Sequence, residues 1–332
     1  MKQVKFITGL MAFGVVSLFA GCGEKENEMT KVTLNEVAHS IFYAPQYVAL
    51  ENGYFTQEGL DLDLVTGYGA DKTMAAVISG EAQIGFMGAE ASVYAYLEGA
   101  NDPVINFAQG TQRAGNFLVA REEMADFQWS DLKGKEVLGG RKGGMPEMVF
   151  EYILKENGLD PAKDLSIDQS IDFGSTAAAF SGGKGEFTVE FEPAATTLEK
   201  NGDGFVVASL GVDSGYVPYT SYSAKTSYVE KHPEIIQAFT DGLQKGVDYV
   251  NSHKAEEIAK VIQPQFKEND LDTITRIVER YQSQDTWKEN LVFEKESFEL
   301  LQDILESAGE LEKRADYEKL VTTIYAKEAM KK

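Results

Sequence analysis

One cysteine, Cys22, is all the thiol chemistry that 332 residues carry. No disulfide can form within the chain, so hydrophobic burial must stabilise whatever folds, and no cysteine cluster exists to hold a metal. Histidine is nearly as scarce. His39, His232 and His253 are scattered without metal-ligand spacing. His232 precedes Pro233 as at a helix start and His253 reads as a helix end, which leaves His39 as the one histidine suited to a site. No metal and no cofactor are expected. Basic residues are also short, 31 against 53 acidic, for a net charge of −22. That balance excludes a nucleic-acid partner and a basic membrane-surface patch. Low-complexity segments, short-period repeats and a nucleotide P-loop are missing too. In "GGRKGGMPEM" Met145 follows Gly144 where Lys-Ser/Thr is required, and in "GYGADKT" Asp71 replaces the glycine before the lysine. No Ser/His/Asp arrangement follows from spacing, so an enzyme is not expected.

What is present begins with a targeting pattern. Lys2 and Lys5 precede the apolar run "FITGLMAFGVVSLFA", which is too short for a membrane span of about 20 residues. The pattern predicts a secretory signal over residues 1–21. Ala20 and Gly21 before Cys22 resemble the lipobox of bacterial lipoproteins, with Phe19 where leucine is usual. The resemblance implies cleavage before Cys22, diacylglycerol on its sulfur, and a cell-membrane location, lipid-anchored on the extracytoplasmic side. Cleavage would remove Lys2 and Lys5 and take the net charge from −22 to −24. The polar, aperiodic segment after Cys22 predicts a flexible tether over 22–30.

The remaining chain is long enough for two lobes, and at 43% apolar residues it can bury a core in each. "KVTLNEVAHS" predicts a strand. "FYAPQYVALENGYF" predicts a helix, with Pro45 in its first turn and Gly53 at its end. In "EGLDLDLV" Leu60, Leu62 and Leu64 alternate with Asp61 and Asp63, the mark of a strand with one wet face. Two distant segments then echo each other. "ADKTMAAVISGEAQIGFMGAEASVYAYLEGANDPVINFA" runs helix, glycine, strand, acidic turn, helix, polar turn, strand. "STAAAFSGGKGEFTVEFEPAATTLEKNGDGFVVASLG" repeats the series. Short apolar strands alternating with helices predict parallel sheets flanked by helices, and two copies predict two α/β lobes of related topology. "GNFLVAREE" and "VPYTSYSAKTS" look extended, and the lobe crossings are placed near them. In "HPEIIQAFTDGLQKGVDYVNSH" Ile235, Ile236, Phe239, Leu243, Val247 and Val250 form one helical stripe. The last hundred residues are therefore expected to be mostly helical and to brace the first lobe.

"YAPQYVALENGYFTQEGLDLDLV", "GADKTMAAVISGEAQIGFMG" and "DLKGKEVLGGRKGGMPEMVFEYILKENGL", in that order, resemble the substrate-binding proteins of ABC importers, in the group that handles nitrate, sulfonates, taurine and thiamine-pyrimidine precursors. The resemblance runs from about Val32 to Ala255 and loosens through the tail. It implies a two-lobed periplasmic-binding-protein fold of type II, each lobe a mostly parallel sheet with flanking helices, plus the helical tail. On that basis the first lobe is expected over 31–118 and 220–332 and the second over 119–219. The implied protein is a monomer that captures a small ligand in a closing cleft and passes it to a permease and its ATPase. A fungal thiamine-pyrimidine synthase shares the fold and supplies an enzyme alternative, but it relies on a cysteine-rich motif that this chain lacks.

In open α/β sheets ligands lie beyond the carboxyl ends of the strands, which selects loops. After the first strand come His39, Phe42 and Tyr43, whose rings can stack on a flat ligand or simply pack the first helix. Glu90 and Ser92 stand where a helix begins, so helix capping competes with ligand contact. Glu190 and Glu192 flank Phe191 in strand alternation and so face one way, opposite the turn at Glu90 if the lobes face each other. Gly143, Gly144 and Met145 offer backbone N–H groups at a helix start, with Arg141 and Lys142 nearby. Gln112, Arg113, Tyr216 and Tyr219 lie near the crossings and can meet a ligand or line the hinge. Two chemistries compete. A sulfonate, taurine or nitrate would use the 143–145 amides with Arg113 or Arg141. A planar aminopyrimidine would stack on Phe42 or Tyr43 and give its ring nitrogen and amine to a carboxylate. Glu190 and Glu192 are hard to reconcile with a buried anion, so a hydroxymethylpyrimidine- or formylaminopyrimidine-type precursor is favoured.

Overall fold

The computed structural model describes residues 29–140, 142–171 and 173–332. The signal segment, Cys22, most of the tether and Arg141 lie outside the described residues. Among the described residues ten strands form two five-stranded sheets. The first contains β1 (Thr30–Glu36), β2 (Leu60–Thr66), β3 (Ile84–Gly88), β4 (Val104–Thr111) and β10 (Thr220–Lys225), in the order β2-β1-β3-β10-β4. The second contains β5 (Asn116–Ala120), β6 (Glu136–Leu138), β7 (Ser166–Asp168), β8 (Phe187–Phe191) and β9 (Phe205–Ser209), in the order β7-β6-β8-β5-β9. The two orders are the same pattern, with β5 and β10 in equivalent places. β1 pairs in parallel with β2 and β3, while β10 runs antiparallel to β3 and β4. β6 likewise pairs in parallel with β7 and β8, and β5 runs antiparallel to β8 and β9. Each sheet is therefore mixed, four strands one way and one against them.

The reversed strand in each sheet is the one that enters from the other lobe. The chain leaves the first sheet after β4 and joins the second as β5; it leaves the second after β9 and returns as β10. The echoed segments supply matching parts. Helix Ala70–Ser79, β3, helix Glu90–Leu97 and β4 are answered by helix Phe173–Ser181, β8, helix Ala194–Asn201 and β9. Local chemistry explains the boundaries. Gly80 closes its helix at φ +86, a left-handed cap that a side chain would strain. Along β2 Leu60 is buried and Asp61 and Asp63 are exposed, as the alternation predicts.

The tail is helical: Pro233–Ser252, Ala255–Ile262, Leu271–Ser283 and Lys295–Ala308 are its main helices. Ile236, Phe239, Leu243, Val247 and Val250 of the first are buried against helix Ala44–Glu51 and the first sheet. Bracing is not confined to the first lobe, which corrects the expectation. Arg280 on Leu271–Ser283 pairs with Glu192 and Glu199 of the second lobe, and Lys155 of helix Met145–Glu156 donates to the carbonyl of Ser307 at 2.5 Å. Helical periodicity shows which face is buried but not which partner buries it. Among the described residues no helix is long and apolar enough to cross a membrane.

Candidate functional site

The lobes meet on aromatic rings. Ser40 caps the short 3-10 turn Ile41–Tyr43, which sets Phe42 and Tyr43 at the end of β1. The Phe42 ring lies 6.5 Å from Phe191 at the end of β8 and 5.8 Å from Tyr219 ahead of β10. Tyr219 is itself 6.5 Å from Phe191. Residues of the two lobes and of the returning connection thus close one cluster. Phe42 also has its carbonyl held by Trp287 Nε1 at 2.9 Å, and a Cβ at Gly115 would come within 2.7 Å of its ring. Tyr43 packs edge-on to Phe86 at 4.5 Å. Burial pushes the hydroxyls of Tyr43 and Tyr219 far above their ordinary range. Both hydroxyls stay neutral, and Tyr219 OH has no hydrogen-bond partner. A space of about 10 Å³ beside Tyr43, Phe86 and Tyr222 is lined by the first lobe and the tail alone and holds no more than one water's worth.

Glu90 is the charged member of this seam. It opens helix Glu90–Leu97 directly after β3 and is 5% exposed. Its carboxylate folds back over Gly88, where a Cβ would sit 2.1 Å from Oε2. Burial pushes its pKa up to about 7, opposed by hydrogen bonds from its own backbone N–H and from that of Met145. Met145 begins helix Met145–Glu156 of the other lobe, so Glu90 reaches across the seam to a helix N-terminus. Its Oε2 has no partner. The same helix start carries a second carboxyl. Glu147 accepts from the Gly143 N–H at 3.1 Å and from Gln169 Nε2 at 2.7 Å. Burial first, then its neighbour Glu151, push its pKa up to about 7.

Glu190 lies on β8, and Glu192 in the turn directly after it, beside Arg280. Glu190 lies opposite Phe117 in the β5–β8 register, accepts from Thr188 Oγ1 at 2.6 Å, and is pushed to about 7 by burial. Glu192 accepts from the Thr196 N–H at 2.9 Å and Thr196 Oγ1 at 3.0 Å. It also pairs with Arg280, whose guanidinium bonds Glu199 at 2.6 Å and stacks 5.2 Å over Phe117. Phe191 points toward Phe42.

Other candidates sit outside the aromatic cluster. His39 bonds Glu36 and the carbonyl of Gln265, both at 2.9 Å, and stacks on Phe266. The Glu36 carboxylate raises its pKa, and the ring ties the first lobe to the tail. Ser92 donates to the carbonyl of Ala89 and accepts from Asn106. Arg113 donates to the carbonyl of Gly211 at 3.0 Å and covers the ring of Tyr216 at 4.1 Å; Tyr216 donates to Asp285 at 2.7 Å. Gln112 donates to the carbonyl of Asp285. Lys142 borders an open hollow of about 560 Å³ on the second lobe, with Lys155, Asp160 and Gln169. Among the described residues no three His, Cys, Asp or Glu side chains are placed to hold a metal.

The cluster has a polar member that the sequence analysis passed over. Asn116 stands opposite Phe191 in the β5–β8 register. It is fully buried, and neither its Nδ2 nor its Oδ1 has a partner. The available signal was a lone polar residue leading the otherwise apolar strand "NFLVA".

The sequence pattern of the family described as "NMT1/THI5 like" matches residues 41–257. YtlA of Bacillus subtilis (strain 168), named as a binding protein, is 46% identical over 302 residues, covering 91% of this chain and 90% of that one. The alkanesulfonate-binding protein SsuA of Xanthomonas axonopodis pv. citri, solved bound to MOPS, superposes with a TM-score of 0.71 over 89% of this chain and 99% of that chain, at 16% identity. The periplasmic nitrate-binding protein NrtA of Synechocystis PCC 6803 superposes with a TM-score of 0.69 over 92% and 89%, at 15% identity.

Proposed function

The chain belongs to the NMT1/THI5-like family, and from that premise we propose that it is the solute-binding component of an ABC importer whose ligand is a small, flat, amine-bearing heteroaromatic, a thiamine-pyrimidine precursor being favoured. Its task is capture, not catalysis. The single observation that carries the ligand class is Glu90, a buried carboxyl with one unpaired oxygen whose charge is felt by Tyr43 and Tyr219, both in ring contact with Phe42. A carboxylate in such a place offers an acceptor to a ring amine or protonated ring nitrogen, while the aromatic walls take the faces of the ring. Tyr219 OH adds a neutral donor. Glu192, occupied by Arg280 and Thr196, is assigned to the wall rather than to the ligand.

The competing reading, a sulfonate, taurine or nitrate, draws on the names of the structural neighbours and on the helix start at Gly143–Met145. Two of the three amides that would greet an anion there already meet carboxyls, Met145 that of Glu90 and Gly143 that of Glu147. Two acidic groups beside a buried anion would cost several kcal/mol. Anchoring through a lipidated Cys22 on the extracytoplasmic side, next to a permease and its ATPase, completes the proposal. Lobe closure around the ligand then presents the form that a permease recognises. Titration calorimetry with hydroxymethylpyrimidine, formylaminopyrimidine, taurine and nitrate tests the ligand class. Sub-micromolar binding of a pyrimidine is expected; sub-micromolar binding of an anion alone overturns it.

A further inference from the structure

We infer that Asn116 is a specificity-determining ligand contact, its carboxamide pairing with an adjacent acceptor and donor on the rim of a planar heteroaromatic. The inference rests on the seam described above being the ligand site. Among the buried polar side chains lacking a partner, most are only half orphaned. Gln109 and Gln244 each leave an Oε1 unpaired while their Nε2 groups donate, to the carbonyls of Thr111 and Glu289 respectively. Asn116 has no hydrogen bond on either atom and no exposed surface. A buried carboxamide without partners opposes folding, because water would satisfy both ends. Strand geometry does not call for it either, since asparagine is disfavoured in strands and the next four residues are Phe117, Leu118, Val119 and Ala120.

Its position supplies the reason. Asn116 is the first residue of β5, immediately after the chain crosses between lobes, and shares a face with Phe191. Phe191 contacts Phe42 and Tyr219, and the Tyr219 hydroxyl feels the Glu90 carboxylate. Three segments that meet only when the lobes do thus present unpaired groups of different kinds. Glu90 offers an acceptor, Tyr219 a donor, and Asn116 one of each, side by side. A carboxamide complements an edge in which a ring nitrogen adjoins an N–H, as in amidine- or amide-type heterocycles, and it penalises an edge lacking either. A simple anion can use only its donor half.

The test compares Asn116→Leu and Asn116→Asp with the unaltered full chain. Melting curves are recorded without added compound, and calorimetry uses hydroxymethylpyrimidine, formylaminopyrimidine, taurine and nitrate. Leucine has similar volume and nothing to satisfy, so its variant is expected to melt higher, by about 3 °C. Both variants are expected to bind whichever pyrimidine the unaltered chain takes at least tenfold more weakly. A lower melting point for Asn116→Leu, accompanied by affinity within twofold of the unaltered chain in Asn116→Asp, overturns the inference and gives Asn116 a structural role. If the unaltered chain binds only an anion, the pyrimidine reading falls by itself. Asn116 is then judged on that anion, and affinity within twofold in both variants overturns it.

Discussion

Replacing Glu90 with glutamine separates the ionisation of this carboxyl from its shape. Glu90 is pushed from an ordinary 4.5 up to about 7 because burial penalises its charged form. The folded chain therefore holds the Glu90 proton more tightly than the unfolded chain does. Stability from this group is fully present below about 4.5, declines as pH rises toward about 7, and is flat above that. The span between 4.5 and about 7 corresponds to a loss of about 3 kcal/mol at ~1.4 kcal/mol per tenfold change. Glutamine keeps the shape and cannot ionise. At pH 5 the Glu90→Gln variant should melt near the unaltered chain, and at pH 8 it should be more stable by up to about 3 kcal/mol, or about 5 °C. Glu147 and Glu190 are pushed up in the same way, so the variant's own curve still declines over this window, only less steeply. Thermal melts at half-unit pH steps from 4.5 to 8.5 provide the measurement. A difference between the two proteins that stays constant with pH, or a variant less stable at pH 8, refutes the picture of a buried, half-orphaned carboxyl. In calorimetry the same variant should lose at least tenfold in affinity for an amine-bearing ring, since the charge-assisted acceptor is gone.

A Gly88→Ala change would place a methyl 2.1 Å from Glu90 Oε2 and force the carboxylate out of the seam; ligand affinity should fall at least tenfold, read by calorimetry. Arg280→Met leaves the fully buried Glu192 side chain without its cation, and chemical denaturation should show a loss of about 3 kcal/mol. Gly246→Ala on helix Pro233–Ser252 would bring a methyl 2.2 Å from the carbonyl oxygen of Pro45. The crossing helices must part there, at about 2 kcal/mol in denaturant midpoints and with ligand affinity unchanged.

Much of this architecture was legible because it is local and repeated. The glycine after helix Ala70–Ser79, the Leu/Asp alternation of β2 and the stripe through Phe239 and Leu243 each follow from one period or one cap. The doubled series of elements made two lobes readable, and the fold that the resemblance implied matches the two mixed sheets. Partnerships were not legible. Alternation predicts Glu190 and Glu192 on one face, yet nothing near them in sequence points to Arg280, 88 residues beyond Glu192. His39 looked like a site histidine beside Phe42, but Gln265 and Phe266 claim its ring from the tail. Asn116 was hidden for a different reason. In a sequence, an asparagine that is satisfied and one that is orphaned look alike, and only coordinates show that both its amide atoms lack partners.

The pattern of unpaired atoms also bears on why recognition would fall at the crossings. Aromatic contacts among Phe42, Phe191 and Tyr219 favour bringing the lobes together but discriminate little between ligands. Against them stand four buried polar atoms, on Glu90, Asn116 and Tyr219, each costing about 1–3 kcal/mol when unmatched. Their sum is comparable to the whole stability of an ordinary domain. A ligand that matches all four converts that cost into closure free energy, whereas one that matches two leaves most of it standing. Differential affinity for the shut arrangement then follows from complementarity at three residues, and no separate latch is required.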